Sequence, residues 1–202
     1  MLSQIVIAMK KLSLYIFLVL MWCNVSLSDD IRDFKIEGIS IGDSLLDYFS
    51  KDEILDNTHI FCENCKPQNK FSEVMFLELP SSFKTYSSIR FIIQNDKKYI
   101  IHGIEGAIFY GNNIDDCYAK QNETDEVLSK IFEHRETETR KIGEDKSEKS
   151  IAKNFHYWNT GHYSDNANNY CTDWNSEMKM PNYFTVTIMT EKLERYIIIK
   201  DF

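Results

Sequence analysis

"SIRFIIQNDKKYIIHGI", residues 88–104, is the most informative short stretch of this chain. Two runs rich in β-branched and aromatic residues, 88–94 and 98–104, flank Asn95-Asp96, a dipeptide typical of tight turns. The pattern predicts a β-hairpin. Other runs that predict extended structure lie at 71–79, which Pro80 ends, around 154–158 and 169–174, and at 183–190.

The clearest helical pattern is "NNIDDCYAKQNETDEVLSKIFEHR", residues 112–135. Asn113 can cap its start. The residues that fall on one face at 3.6-residue spacing are Ile114, Cys117, Tyr118, Gln121, Leu128, Ile131 and Phe132. Cys117 is therefore expected on the buried stripe of this helix.

Two weaker segments border these elements. In residues 38–57, Ser44 with Asp47 and Ser50 with Glu53 have capping-box spacing, which predicts one kinked helix or two short ones. The last eleven residues, "KLERYIIIKDF", are ambiguous between helix and strand. Residues 133–150 are highly charged, with few apolar positions, and indicate a solvated loop or a flexible connector.

These elements predict an α+β fold with a mainly antiparallel sheet and two principal helical segments packed on it. Hairpins and helices mix without a regular βαβ alternation, so a parallel sheet is not expected. Residues 29–202 have the length of one ordinary domain.

The N-terminus has the pattern of a secretory signal peptide. Residues 10–22, "KKLSLYIFLVLMW", give a charged start and an apolar run, and "NVSLS" follows. We expect residues 1–28 to be removed before Asp29, and "MKK" indicates that translation starts at Met9. The expected location is periplasmic or secreted in a bacterium. The alternative is an inner-membrane protein anchored by an uncleaved signal.

The charge of the chain limits its partners. The formal net charge of −8 becomes −10 when Lys10 and Lys11 leave with the signal. An acidic domain is a poor match for nucleic acid or for an anionic membrane surface. We expect no nucleic-acid partner and no stable membrane insertion after signal removal.

"CENC", residues 62–65, can be a redox pair, half of a zinc site or a disulfide. No helix pattern follows it, and no second C-x-x-C pair occurs in the chain. Cys23 is expected to leave with the signal, so four cysteines remain, and four cysteines allow three pairings. In an oxidising compartment we favour Cys62 with Cys65, which share a turn-like stretch, and Cys117 with Cys171, which lie on core elements.

"NFHYWNTGHYSDNANNYCTDWN", residues 154–175, is the second conspicuous stretch. Its aromatic and amide side chains can form a groove for a sugar or another small polar ligand. The candidate groove residues are His156, Trp158, His162, Tyr170 and Trp174. The alternatives are a hairpin whose aromatic residues pack on the core, and a metal site that uses His156 and His162.

The chain has no nucleophile elbow, zinc-protease motif, phosphate-binding loop or dinucleotide fingerprint. His102 lies in a strand pattern, which favours a structural role over that of a base. We therefore predict no catalytic residues, no cofactor and no metal. The expected function is non-enzymatic binding of an envelope protein or a small polar ligand. The alternative is a thiol-disulfide or metal-dependent protein that uses Cys62 and Cys65 or the His156 and His162 region.

Three segments resemble parts of small secreted proteins of marine alphaproteobacteria, proteins without a known activity. The segments are "IEGISIGDSLLDYFSKDEI" (36–54), "YIIHGIEGAIFYGNNIDDCY" (99–118) and "YCTDWNSEM" (170–178). Because these segments contain Cys117 and Cys171, the resemblance supports that pair. "ISIGDSLLDYF" is also similar, more weakly, to the helix entry of small outer-membrane assembly lipoproteins.

Overall fold

The structure is a computed structural model that describes residues 30–65, 67, 69–141, 151–159 and 164–198. In this part of the chain the strands are β1 (Thr58–Ile60), β2 (Phe71–Phe76), β3 (Ser88–Gln94), β4 (Ile101–Gly111), β5 (His134–Lys141), β6 (Ile151–Trp158), β7 (Asn166–Asp173) and β8 (Asn182–Met189). The α-helices are α1 (Lys51–Asp56), α2 (Ile114–Ile131) and α3 (Glu191–Ile198), and short 3-10 turns occur at Ile31–Asp33, Leu45–Asp47 and Ser176–Met178.

The strands form one antiparallel sheet in the order β1-β2-β3-β4-β8-β7-β6-β5. Two runs of neighbouring strands, β1 to β4 and β5 to β8, meet where β4 pairs with β8. The connection from the central β4 to the edge strand β5 runs through α2. This arrangement confirms the predicted α+β class with a mainly antiparallel sheet and helices packed on it.

One face of the sheet, the main face, packs against α2. The helix begins at its cap Asn113, whose side chain accepts a hydrogen bond from the Asp116 N–H. It lies across β7, β8 and β4. The residues that it buries are Cys117, Gln121, Thr124, Leu128 and Ile131. The stripe predicted from the sequence therefore largely matches the buried residues, and Thr124 is buried in addition.

Two disulfides lie in different places. Cys117 on α2 is bonded to Cys171 on β7, with a Cα–Cα distance of 5.9 Å, and both residues are buried in the main core. Cys62 is bonded to Cys65 within one loop. These are the two pairs that the sequence favours, and such pairs fit an oxidising compartment.

Several elements differ in extent from the sequence expectations. β4 is one strand of residues 101–111, longer than the predicted 98–104. Residues 38–57 hold a 3-10 turn capped by Ser44 and the separate short helix α1, which starts at Ser50 with a full capping box.

The segment 133–150 is not simply a connector. Residues 134–141 form the edge strand β5, paired along its length with β6, while residues 142–150 lie outside the described part. The sequence does not predict this strand, because charged residues and threonines alternate along it and neither of its faces is apolar. The ambiguous C-terminal segment is helical up to Ile198. In the described ranges no helix has the length and the apolar character needed to cross a membrane.

Candidate functional site

The second face of the sheet lies opposite α2. Side chains alternate between the faces of a strand, and the strand register therefore assigns each residue to a face. From β3 to β5 the second face includes Arg90, Ile92, Gly103, Glu105, Thr187, Met189, Asn168, Tyr170, Asn154, His156, Glu138 and Arg140. Polar and charged side chains dominate this set, so this face differs in kind from the main face.

A groove of about 340 Å³ lies on the second face, and we call it the sheet groove. It is lined by Phe61, Arg90, Glu105, Arg140, Asn154, His156, Asn168, Tyr170, Thr187, Met189 and Ile197. A smaller recess of about 50 Å³ adjoins it and is lined by Phe61, Arg90, Ile92, Gly103, Ile104, Glu105, Thr187 and Met189. Apolar side chains from Phe61, Met189 and Ile197 stand at one end, and polar side chains from β5, β6 and β7 stand at the other.

Asn154 on β6 lines the polar end of the sheet groove. Its side chain is only 1 % exposed, and neither Nδ2 nor Oδ1 has a hydrogen-bond partner within the described part of the chain. A buried amide without partners costs about 1–3 kcal/mol. Native proteins pair the large majority of such groups, so an amide left unpaired at a groove indicates a place for a ligand.

The arginines of the groove differ in their pairing. Arg90 donates to Glu105 at 2.6 Å and lies 3.4 Å from Glu73. Glu105 also accepts a hydrogen bond from the Thr187 hydroxyl at 3.0 Å. Arg140 on the edge strand is exposed and has no ion pair among the described residues. One positive charge at the groove is therefore balanced, and the other has no ion-pair partner in the part of the chain that the structure describes.

Tyr170 and His156 flank Asn154. Tyr170 is directly opposite Asn154 on β7, and its ring makes an edge contact with Tyr183. Burial and then the negative charge of Glu105 raise the pKa of Tyr170 to about 12, so the phenol stays neutral at physiological pH. His156 Nε2 lies 3.7 Å from a Glu138 oxygen.

The apolar wall of the groove is built by the "CENC" loop and α3. Cys65 is fully buried in a second core with Phe71, Ile92, Leu193 and Tyr196. The Tyr196 hydroxyl donates to the Pro67 carbonyl at 3.0 Å, which ties the loop to α3. The next described element after the loop is a strand, β2, and not the helix that a reactive cysteine pair would use to lower its pKa.

The predicted groove residues are only partly brought together. His156 and Tyr170 both line the sheet groove. Trp158 shares their face but stacks on His134, with ring centroids 5.7 Å apart. Trp174 does not line the groove, and its backbone N–H donates to Asn182 Oδ1 at 2.8 Å. His162 lies outside the described residues.

Three residues line the groove that the sequence does not predict as groove residues: Asn154, Arg140 and Asn168. Asn154 could have been predicted from the alternation of β6, because Asn154, His156 and Trp158 follow each other at a spacing of two and therefore share one face. Arg140 is not predicted as a groove residue, because the charged composition of residues 133–150 indicates a loop or connector and not a strand. Phe61 and Ile197 reach the groove only through tertiary packing, for which the sequence has no local signal.

A larger cavity lies elsewhere, beside α1 and β2. Its volume is about 830 Å³, and its lining includes Phe49, Glu53, His59 and Leu77. No residue of this lining carries a buried polar atom without a partner in the described chain. Glu53 is used by the capping box of α1, where its carboxylate accepts the Ser50 N–H at 2.8 Å. Size alone does not make this cavity the better candidate.

A search for clusters of three or more histidine, cysteine, aspartate or glutamate side chains placed to hold a metal ion finds none in the described ranges. His156 has one acidic neighbour among these residues, Glu138, with Nε2 3.7 Å from a carboxylate oxygen.

The fold and the groove define the class of protein. It is a disulfide-linked α+β protein with one large antiparallel sheet, a helix on one face and a polar groove on the other. No protein-family model, curated protein or solved structure matches the chain. A functional assignment therefore has to come from the chemistry of its own residues.

Proposed function

We propose that this chain is an exported, non-enzymatic binding protein that holds a small polar ligand in the sheet groove. The observation that carries the proposal is the buried Asn154 amide at the groove, whose donor and acceptor both lack a partner among the described residues. A ligand that pairs with this amide recovers the free energy that the unpaired state costs. Export is supported by the signal-like N-terminus and by the two disulfides.

The groove also has the dimensions of a binding site. Small-molecule sites typically occupy about 300–1,000 Å³ and combine apolar walls with a few placed polar groups. A groove of about 340 Å³ is at the lower end of this range, which favours a ligand of a few to about a dozen heavy atoms.

A thiol-disulfide function receives less support. Cys65 is fully buried in the second core beneath α3. Cys62 is half-buried, but the next described element after the loop is the strand β2 and not the helix that a reactive cysteine pair uses.

The first test compares two buried asparagines by replacing each with leucine. Asn154→Leu removes an unpaired amide, so we expect the free energy of unfolding to rise by about 1–2 kcal/mol. Asn169→Leu is the matched control on the main face. Asn169 is equally buried and its Oδ1 is also unpaired among the described residues, but its Nδ2 donates to the Tyr157 hydroxyl at 3.1 Å. Its replacement loses this hydrogen bond, so Asn169→Leu should be less stable than Asn154→Leu by about 1 kcal/mol.

Urea unfolding of both oxidised variants and the native chain measures these differences. The second half of the test is binding. Leucine, methyl glucoside and inorganic phosphate are each added at about 10 mM, enough to fill a site with a millimolar dissociation constant. One of them should shift the amide resonances of β6 and β7 in the native chain but not in Asn154→Leu. A loss of stability in Asn154→Leu as large as in Asn169→Leu, or no shift with any probe, would contradict the proposal.

A further inference from the structure

Resting on the proposed function, we infer that the ligand of the sheet groove is a free α-amino acid with an apolar side chain, bound as a zwitterion. Four features of the groove and its border lead to this class of ligand. They are the two atoms of Asn154 and the charge of Arg140, which have no partner among the described residues, the position of Glu138 on the strand beside the groove, and the apolar end.

Asn154 needs a ligand with a donor next to an acceptor. Its Nδ2 is a donor and its Oδ1 is an acceptor, and both are unpaired in the described chain. A carboxylate alone would leave Oδ1 without a donor, and an ammonium group alone would leave Nδ2 without an acceptor. An α-amino acid carries both groups on one carbon, so the carboxylate accepts from Nδ2 and the ammonium donates to Oδ1.

The charges beside Asn154 match the same two groups. Glu138 on β5 is directly opposite Asn154, and Arg140 follows two positions along the same strand. Opposite residues of an antiparallel pair have Cβ atoms about 4.5–5.5 Å apart, and diagonal neighbours are about 7–8 Å apart. A molecule the size of an amino acid therefore reaches both, with its carboxylate at Arg140 and its ammonium at Glu138.

The ligand must reach an amide that is nearly closed to water. Asn154 is 1 % exposed, so the side chains above it have to move when a ligand enters. Arg140 is exposed on the edge strand, where its long side chain can change rotamer at little cost. The same side chain can then close over the bound carboxylate.

The apolar end of the groove accounts for the side chain of the ligand. Phe61, Met189 and Ile197 line this end. Arg90 pairs with Glu105 at 2.6 Å and lies 3.4 Å from Glu73, so its positive charge is engaged within the protein. Each buried methylene of the ligand would contribute about 0.8 kcal/mol.

Two other ligand classes fit less well. Sugar hydroxyls can pair with Asn154 but leave the charge of Arg140 unmatched. Phosphate neutralises Arg140 but has no apolar part to fill the other end of the groove. Both are included in the probe set above, so the competing classes are outcomes of the same experiment.

The test uses three forms of one probe with the oxidised chain: leucine, N-acetyl-leucine and leucinamide. N-acetyl-leucine lacks the ammonium group, and leucinamide lacks the carboxylate. We expect leucine to bind at least tenfold more tightly than either, as followed by calorimetry and by the amide resonances of β6 and β7. Arg140→Gln should weaken leucine at least fivefold and leave leucinamide unchanged. Glu138→Gln should weaken leucine and leave N-acetyl-leucine unchanged.

Arg135→Gln is the matched control, since Arg135 is on the same strand but faces the other side and pairs with Asp125 at 2.7 Å. Its leucine affinity should equal that of the native chain. Equal binding of leucine and N-acetyl-leucine, or binding of methyl glucoside or phosphate in place of leucine, would overturn the amino-acid assignment and leave the proposed function standing. If none of the probes bound, the result would contradict both the amino-acid assignment and the proposed function.

Discussion

His102 shows how the fold changes the chemistry of a single residue. It lies on β4 beneath the start of α3, with Nδ1 3.1 Å from the Thr190 hydroxyl and its ring against Phe71. Burial lowers the pKa of His102 to about 4, and the charges of Lys192 and Lys70 act in the same direction. The sequence favours a structural role for this residue, and its surroundings are those of a neutral ring packed between two elements.

His102 makes the stability of the fold depend on pH. Below its ordinary pKa of 6.5, the ring gains a proton in the unfolded chain but remains neutral in the folded chain until about pH 4. The unfolded chain binds more protons in this window, so stability falls as the pH falls through it. The loss is up to about 3 kcal/mol, reduced by the part of the ring that water reaches.

Urea unfolding at about pH 7 and about pH 4.5 measures this loss for the native chain and for His102→Gln. The variant should lose clearly less stability than the native chain between the two conditions. His59→Gln, a change at an exposed histidine of β1, serves as the control and should behave as the native chain does. An equal loss of stability in all three proteins would show that His102 does not cause the pH dependence.

The candidate site was only partly predictable at this scale. The aromatic segment 154–175 correctly draws attention to His156 and Tyr170, because both are on strands whose alternation places them on one face. Composition gives no reason to select Asn154 among several neighbouring asparagines. Its importance comes from the absence of a partner for a buried amide, and that property exists only in the folded chain.

At the scale of elements, α3 closes the second core. Leu193 is fully buried against Ile92 and the backbone of β4. A Cβ atom at Gly103 would lie 2.7 Å from Leu193 Cδ2, so only glycine allows the helix to sit this close to the sheet. The helix in turn covers Cys65, and the "CENC" loop supports Phe61 at the groove.

Leu193→Ala should therefore release α3 and the "CENC" loop together. A buried leucine replaced by alanine costs about 2–5 kcal/mol, depending on how the site collapses. Amide hydrogen exchange should become faster in residues 60–71 and 191–198, with little change in α2. Leu55→Ala, at a leucine of α1 that is 52 % exposed, is the control and should change stability by no more than about 0.5 kcal/mol. Equal acceleration in α2 would mean that the two cores unfold as one unit.

Elements with a strong local pattern were predicted well, and the others were not. The strand 88–94 and the cap of α2 at Asn113 follow from alternation and from capping chemistry. β5 was missed because its stability comes from pairing with β6, and none of its residues is buried. The helicity of α3 depends on Leu193 and Tyr196 meeting the second core, which the isolated sequence does not reveal.

At the scale of the whole molecule, the two disulfides constrain different lengths of chain. Cys117 and Cys171 are 54 positions apart and close a loop of 55 residues that contains most of α2, all of β5 and β6, and most of β7. Cys62 and Cys65 are 3 positions apart and close a loop of four. In the loop-closure model a 55-residue loop is worth roughly 4 kcal/mol and a four-residue loop roughly 2 kcal/mol.

The long loop also crosses the region where the sheet has least support. β5 and β6 lie at one edge of the sheet, and every residue of β5 is exposed. α2 reaches this edge through a polar chain in which the Tyr157 hydroxyl donates to Asp125 at 2.8 Å, and Arg135 pairs with the same carboxylate. The disulfide between α2 and β7 fixes the helix over this half of the sheet.

We therefore expect the double change Cys117→Ala with Cys171→Ala to cost roughly 2 kcal/mol more than Cys62→Ala with Cys65→Ala. For a chain of this length the long-loop variant should melt about 8–16 °C below the native protein, and the short-loop variant about half as far below. The short-loop variant has a separate signature, which is weaker leucine binding, because Phe61 loses its support at the groove. Non-reducing peptide mapping of the exported native chain establishes the bonds before melting is measured. A link from Cys117 to Cys62 or Cys65, or equal melting temperatures for the two variants, would contradict this division of roles.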